Sequence, residues 1–165
     1  TRWTMLPENL KENAVAAALE QAEPGILTGG NTLLNELTLE VVPEKILDAL
    51  RALKAQKFER LSTVTCVDRY PMEPRFDVVY HLQSVSRNLF VRVKARVGGE
   101  KPEIASATAV YASANWYERE TWDLFGVVFT GHPNLTRIMM PDFWEGHPLR
   151  RDFPVHGHKY SYRNE

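Results

Sequence analysis

Acidic side chains in one short stretch, Trp116 to Gly126, have a spacing at which charged groups can act together. On a helix, Glu120 lies three residues before Asp123 and Arg119 lies four before it, so both neighbours meet Asp123 on one face. Asp123 would fall in the last turn, where the helix dipole disfavours an anion, so it needs a cation or backbone donors nearby. The residues alone favour a local salt bridge with Arg119. An acid–base pair or a metal site would need a pocket and a third ligand.

Histidines recur farther along the chain in a Gly-His-Pro tripeptide. It occurs at His132 and at His147, each time followed within five residues by a leucine and an arginine. A residue before proline is held in extended geometry, which fixes the direction of the imidazole. Neither position has the helical spacing of a zinc protease, and no CxxC accompanies them. Structural histidines that pack loops are favoured, and a free-standing metal-dependent hydrolase using Glu118, Glu120, His132 and His147 is the alternative from another function class.

Composition excludes several classes of protein. The chain of 165 residues has 20 Lys and Arg against 21 Asp and Glu, a balance that does not suit a general nucleic-acid binder. Its single cysteine, Cys66, cannot form an intrachain disulfide or hold an iron–sulfur cluster, and an inert core thiol is expected. No apolar run approaches the ~20 residues of a membrane span, and no signal peptide or nucleotide-binding motif is recognisable. We expect a soluble protein of a reducing compartment, with about one domain.

The elements that must position these residues are predicted to form an α+β fold. Apolar periodicity predicts, in chain order, a helix over Pro7–Gln21, a strand over Leu33–Val41, a helix over Pro43–Leu53, and strands over Leu61–Asp68, Arg75–Gln83 and Leu89–Val97. Gly29-Gly30-Asn31 is interpreted as a turn. We therefore expect one mostly antiparallel four-stranded sheet with two helices on one face. An Arg92-Lys94-Arg96 row on the last strand is favoured as a solvated face over edge protection or an acidic docking site.

The second half of the chain is predicted to be less regular. Ile104–Tyr111 is expected to be a short helix, and Asn115 with Glu118 resembles a capping box that starts a helix ending at Gly126. The residues divide into an α+β domain over 1–126 and an extended, proline-rich C-terminal tail over 127–165, expected to bind a partner. The tail is rich in aromatic side chains: Phe143, Trp144, Phe153, Tyr160 and Tyr162.

Three runs of sequence resemble the signature of a known family. They are ERETWDLFGV at Glu118–Val127, GHPNLTRIMMP at Gly131–Pro141 and GHPLRRDFP at Gly146–Pro154. Together they resemble the thirty-kilodalton subunit of respiratory complex I, densely over residues 113–154 and more loosely over 61–97.

The resemblance implies a non-catalytic peripheral-arm subunit of a proton-translocating NADH:quinone oxidoreductase. It implies no cofactor in this chain, with FMN and iron–sulfur clusters in partner subunits. It implies a role in assembly beside the quinone-site subunit and its iron–sulfur neighbour, on the cytoplasmic face of a bacterial inner membrane or the mitochondrial matrix face. The equivalent subunit of a membrane-bound hydrogenase or a related dehydrogenase complex is the alternative.

Structural or partner-binding roles, with no catalytic, cofactor or metal residue, are accordingly expected for one set of polar side chains: Glu118, Arg119, Glu120, Asp123, His132, Arg137, His147, Arg150, Arg151 and Asp152. Its three helical carboxylates and the arginines that follow each Gly-His-Pro are predicted to form an ionic lattice that fixes the tail and its partners.

Overall fold

The computed structural model describes residues 8–155, which form a mixed α+β fold. Its helices and strands are, in chain order, α1 (Ala14–Ala22), β1 (Leu27–Leu33), β2 (Glu36–Val41), α2 (Ile46–Ala55), β3 (Arg60–Asp68), β4 (Phe76–Ser84), β5 (Leu89–Val97), β6 (Glu103–Ala105), α3 (Ala114–Phe125) and β7 (Val128–Thr130). The main sheet has five strands in the order β1-β2-β5-β4-β3, and β6 and β7 form a separate parallel pair. Within the main sheet only β2 and β5 pair in parallel.

The prediction of four strands is wrong because the glycine-rich segment before Leu33 is itself a strand. Gly29, Gly30 and Asn31 pair with β2, and the chain reverses at Leu34 and Asn35, which have φ values of 50° and 67°. A β-carbon on Gly30 would lie 2.4 Å from the Thr38 carbonyl oxygen, so a glycine is required where β1 pairs closely with β2. The small residues interpreted as a turn therefore allow close pairing of two strands.

Two predicted helices also differ from the structure. The predicted Pro7–Gln21 helix is interrupted, and α1 begins only after Asn13, whose side chain accepts hydrogen bonds from the N–H groups of Val15 and Ala16. The predicted Ile104–Tyr111 helix is wrong, because its apolar residues are divided between β6 and a single 3₁₀ turn at Ala107–Ala109.

The basic row of β5 lies in the middle of the sheet, so the edge-protection alternative is wrong. Arg92 pairs with Glu36 at 2.9 Å and Arg96 with Glu40 at 3.3 Å, both carboxylates belonging to the neighbouring β2. The open face of the sheet thus carries cross-strand ion pairs.

All three helices contribute to one core against the opposite face of the sheet. Leu19 of α1, Leu50 of α2 and Ala114 of α3 are fully buried in the same cluster as Tyr80 and Val93. α3 is fixed along β3 by two hydrogen bonds, from the Ser113 hydroxyl to the Leu61 carbonyl and from the Thr121 hydroxyl to the Val64 carbonyl. Within residues 8–155 no helix is long and apolar enough to cross a bilayer.

Candidate functional site at the junction of α3 and the C-terminal segment

From the end of β7 to residue 155 the chain has no helix or strand, and residues 131–155 are called the tail segment here. β7 itself lies beyond the predicted domain boundary at 126 and pairs with β6. The tail segment runs back along α3 and reaches the far end of β3. Residues 156–165 of the predicted tail, with Tyr160 and Tyr162, lie outside the described residues.

Asp123 is the centre of the contact between α3 and the tail segment. Its fully buried carboxylate accepts three backbone hydrogen bonds on Oδ2, from Ile138 (3.0 Å), Met139 (2.8 Å) and Met140 (2.9 Å). Its Oδ1 accepts a bond of 2.5 Å from Arg137. Burial alone would raise the pKa of Asp123, but these four donors together hold it below its ordinary value.

The end of α3 is capped by the second Gly-His-Pro motif. The last four carbonyls of an α-helix lack partners within the helix. Here three of them accept bonds from His147 Nδ1 (2.9 Å to Asp123), the Leu149 N–H (3.0 Å to Leu124) and Arg150 Nε (2.6 Å to Phe125). The fourth, on Trp122, accepts the N–H of Gly126 at 2.8 Å. The motif therefore completes the hydrogen bonding of the helix and places Arg150 where the dipole favours a cation.

Arg119 contacts the tail segment rather than Asp123, so the favoured local salt bridge is wrong. Its guanidinium donates to the Thr136 carbonyl (3.1 Å) and to the Arg137 carbonyl (3.0 Å), and stacks on the Trp116 ring. The cation that neutralises Asp123 comes instead from Arg137, which also lies over the Trp122 ring.

Glu118 is buried next to the first Gly-His-Pro motif. Its side chain bonds Ser106 and Ala107 and not the start of α3, so the predicted capping box is wrong. Its carboxylate accepts bonds of 2.6 Å from the Ser106 hydroxyl and 2.6 Å from the Ala107 N–H. Burial raises the pKa of Glu118 to about 7, against the lowering effect of these two donors. His132 lies with Nε2 4.0 Å from Glu118. It donates from Nε2 to the Asn115 carbonyl and accepts from the Asn134 N–H on Nδ1, so backbone groups occupy both ring nitrogens.

A second ion cluster holds the end of the tail segment, and sequence reasoning missed two of its members. Arg75 bonds Asp68 at 2.7 Å and Asp152 at 2.6 Å, and the Arg151 N–H donates to Asp68 at 2.8 Å. The bond from Arg75, the largest effect, lowers the pKa of Asp68. No local pattern links residues this far apart in sequence, so a single sequence carries no signal for Asp68 and Arg75.

The predicted lattice is thus only partly assembled. Asp123 and Arg137 meet, whereas Arg150 binds a carbonyl and Glu118 binds neutral donors. Among residues 8–155, the exposed Glu120 and Arg151 side chains form no ion pair. Over the same residues no three His, Cys, Asp or Glu side chains group as metal ligands.

Comparison with known proteins matches most of the chain. The family model described as respiratory-chain NADH dehydrogenase, 30 kDa subunit, matches residues 39–159. The chain is 42% identical over 149 residues to an NADH-quinone oxidoreductase subunit of Roseiflexus castenholzii, covering 88% of this chain and 86% of that protein. It is 43% identical over 156 residues to the protein of the same name from Salinispora tropica, covering 90% of this chain and 64% of that protein.

Two solved structures are similar in fold as well as sequence. A trypsin-resistant fragment of Nqo5 superposes with a TM-score of 0.59 at 33% identity, covering 62% of this chain and 84% of the fragment. A chain of the membrane-bound sulfane sulfur reductase, an archaeal respiratory membrane complex, superposes with a TM-score of 0.71 at 28% identity, covering 86% of this chain and 84% of that chain.

The first prediction concerns Gly126, which ends α3 beside His147 and Arg150 of the tail segment. Its φ is +79°, and a β-carbon there would lie 2.5 Å from both Arg150 Nη2 and His147 Cδ2. Gly99 has a similar φ of +82° with nothing within 4 Å, so Gly99→Ala is a matched control for backbone strain alone. We expect Gly99→Ala to lower the free energy of unfolding by about 1 kcal/mol and Gly126→Ala by at least about 1 kcal/mol more, measured by urea unfolding. Equal losses of unfolding free energy in the two variants would show that the contact with Arg150 and His147 adds no cost at position 126.

The second prediction concerns the pH dependence that Glu118 contributes. Because its folded pKa of about 7 lies above the ordinary value of 4.5, the folded state holds a proton that the unfolded state releases. The contribution to stability is therefore complete below about pH 4.5 and is lost as pH rises through 7, by up to about 3 kcal/mol. Burial lowers the pKa of His81 and of His147, so their contributions have the opposite sign.

The comparison with Glu118→Gln isolates the contribution of Glu118 to the pH dependence of stability. The amide resembles the protonated acid, and the histidines are unchanged in the variant. The difference in unfolding free energy, wild type minus variant, should fall between pH 5 and pH 8. A flat difference across this range would show that Glu118 is ionised throughout.

Proposed function

Because this chain belongs to the family of the 30 kDa subunit of respiratory-chain NADH dehydrogenase, we propose that it is a non-catalytic peripheral-arm subunit of a proton-translocating NADH:quinone oxidoreductase. In this proposal it supports assembly beside the quinone-site subunit and its iron–sulfur neighbour. FMN and the iron–sulfur clusters belong to the partner subunits. The complex would lie on the cytoplasmic face of a bacterial inner membrane, or on the matrix face of the mitochondrial one.

The observation that carries the proposal is that the polar residues of the family-like sequence runs bond to other groups of this same chain. Asp123 has four donors, Arg119 and Arg137 bind tail carbonyls, and His147 and Arg150 cap α3. These groups hold an irregular segment in one conformation, which is a structural task. A segment fixed in advance loses less conformational entropy when it binds a partner.

The side chains that the tail segment displays support the same proposal. Five of its large apolar residues are exposed: Ile138 (38%), Met139 (57%), Phe143 (84%), Leu149 (52%) and Val155 (95%). Ile138 and Met139 bond Asp123 through the backbone while their side chains remain in solvent. Contiguous exposed apolar side chains mark protein interaction sites, and methionine adapts to irregular partner surfaces. We assign partner binding to this face, together with the exposed Glu120.

A second candidate is the equivalent subunit of a related membrane-bound complex with another electron donor. The similarity to a chain of the sulfane sulfur reductase over 86% of this chain favours it. The two candidates differ in the subunits that co-purify with the chain from its host and in whether NADH is oxidised by the purified complex.

The third prediction separates a structural from a catalytic role at Asp123. Asp123→Ala would leave Arg137 buried without a carboxylate, which costs ~3–5 kcal/mol in comparable pairs. We expect a less stable isolated chain and less assembled complex on a native gel, with near-normal NADH:quinone turnover per assembled complex. Full assembly with abolished turnover would contradict the proposal.

Two further variants provide the controls. Glu120→Ala removes an exposed carboxylate of the same helix and should leave unfolding of the isolated chain unchanged while lowering assembly. Glu100→Ala removes an exposed carboxylate from the loop before β6 and should change neither quantity.

A further inference from the structure

Two hairpin turns meet at the end of the main sheet that lies farthest from the tail segment. β2 and β5 run in parallel with Leu37 opposite Val91, so the β1–β2 turn and the β4–β5 turn (85–88) lie side by side. The loop between α2 and β3 reaches the same end, because Arg60 pairs with Gln83. We call this surface the hairpin end. The nine residues of β3 separate it from Asp68, where the tail segment is anchored, by roughly 26 Å.

Apolar side chains from both turns are exposed at the hairpin end. They are Leu33 (68%), Leu34 (90%), Val85 (58%), Leu89 (43%) and Phe90 (55%). Leu33 pairs with Glu36, so its side chain lies on the open face of the sheet, and Phe90 lies on that same face two residues before Arg92. The β2–β5 register places Glu36 opposite Phe90, so the apolar side chains of the two turns flank the Glu36–Arg92 ion pair on this face. Exposed apolar side chains grouped in this way on a folded chain mark an interaction site.

Leu34 shows that this exposure is not a by-product of folding. It has a φ of 50°, a left-handed conformation that asparagine, aspartate and glycine adopt readily and leucine does not. Its side chain is 90% exposed and is absent from the hydrophobic core. A leucine here therefore costs conformational energy without a compensating place in the core formed by residues 8–155.

Positive charge surrounds this apolar surface. Lys57, Arg60 and Arg87 are exposed at the hairpin end, and none of them forms an ion pair with the residues between 8 and 155. Arg87 is nevertheless held within the chain, because its guanidinium donates to the Gln56 carbonyl and the Ser84 hydroxyl and lies over the Phe58 ring. Farther along the sheet the arginines are paired, as Arg92 and Arg96 are with β2. Glu59, the exposed carboxylate of the same loop, accepts the N–H of Val85 on one oxygen. The hairpin end thus carries exposed apolar side chains and more cations than carboxylates.

We propose that the hairpin end is a second docking surface, for a protein partner that presents an apolar pocket rimmed with carboxylates. Leu34 and Phe90 insert into the pocket, and Lys57 and Arg60 meet the carboxylates. A recess of about 90 Å³ beside Phe90 is lined by His81 and Leu82 and by the Glu36–Arg92 ion pair, so it offers the partner both apolar and polar contacts. Naming this partner as another subunit of the same assembly rests on the proposed function. The chain then bridges two neighbours, one at each end of its sheet.

The fourth prediction tests this surface in the purified complex and in the full chain. Leu34→Asn suits the left-handed turn, so the isolated chain should unfold at an equal or higher urea concentration than wild type. Incorporation into the complex should nevertheless fall at least about fivefold, as for an anchor residue. Leu34→Met keeps an apolar side chain and should restore incorporation. Arg60→Glu should lower incorporation, whereas Lys101→Glu, the same charge change on the loop before β6, should not.

A photo-reactive residue at position 34 identifies the occupant. We expect crosslinks to one other protein subunit, within a segment containing both apolar and acidic residues. Crosslinks to lipid, with binding of the wild-type chain to vesicles of phosphatidylcholine and phosphatidylglycerol that Leu34→Asn abolishes, would replace the proposal with a membrane contact. Crosslinks between two copies of the chain would also overturn it. Normal incorporation of Leu34→Asn refutes the docking surface alone, whereas absence of the wild-type chain from the complex refutes the proposed function.

Discussion

The buried carboxylate of Asp123 is the interaction on which the second half of the structure depends. A fully buried charge is tolerated only where hydrogen bonds and an opposite charge replace its hydration. Asp123 obtains both from a segment that has no regular structure of its own, residues 137–140. The same contact therefore satisfies the charge and fixes the segment. Because the four donors come from consecutive residues, the direction of the chain at this point is set by one side chain.

Glu118 and Asp123 show how the number of donors decides the state of a buried acid. Both are fully buried on one helix, five residues apart. Asp123 has four donors, one of them a cation, and its pKa is lowered. Glu118 has two donors, both neutral, and burial raises its pKa to about 7. The opposite directions follow from hydrogen-bonding partners rather than from position on the helix.

The periodicity of apolar residues could predict most of the long strands and helices. The contacts between segments that are remote in sequence could not be predicted. The strands near Arg60–Asp68, Phe76–Ser84 and Leu89–Val97 and the end of α3 at Gly126 were predictable, since alternation and a glycine stop are local signals. β1 was missed, because its glycines are demanded by a neighbouring strand that local patterns do not show. In the site, the adverse position of Asp123 correctly indicated a need for donors. The choice between Arg119 and Arg137 depended on the path of the tail segment, which the sequence does not encode locally.

The geometry of the two buried acids argues against proton transfer at this site. A general base needs a free lone pair within reach of substrate and a pKa near the working pH. Asp123 has a lowered pKa, and both of its oxygens are bonded within the chain. Glu118 has a suitable pKa, but its side chain has no exposure and both of its oxygens also hold donors of the same chain. Neither acid can therefore reach a substrate unless the tail segment leaves α3, which would break the contacts that keep Asp123 ionised. This mutual dependence supports a structural role for the junction.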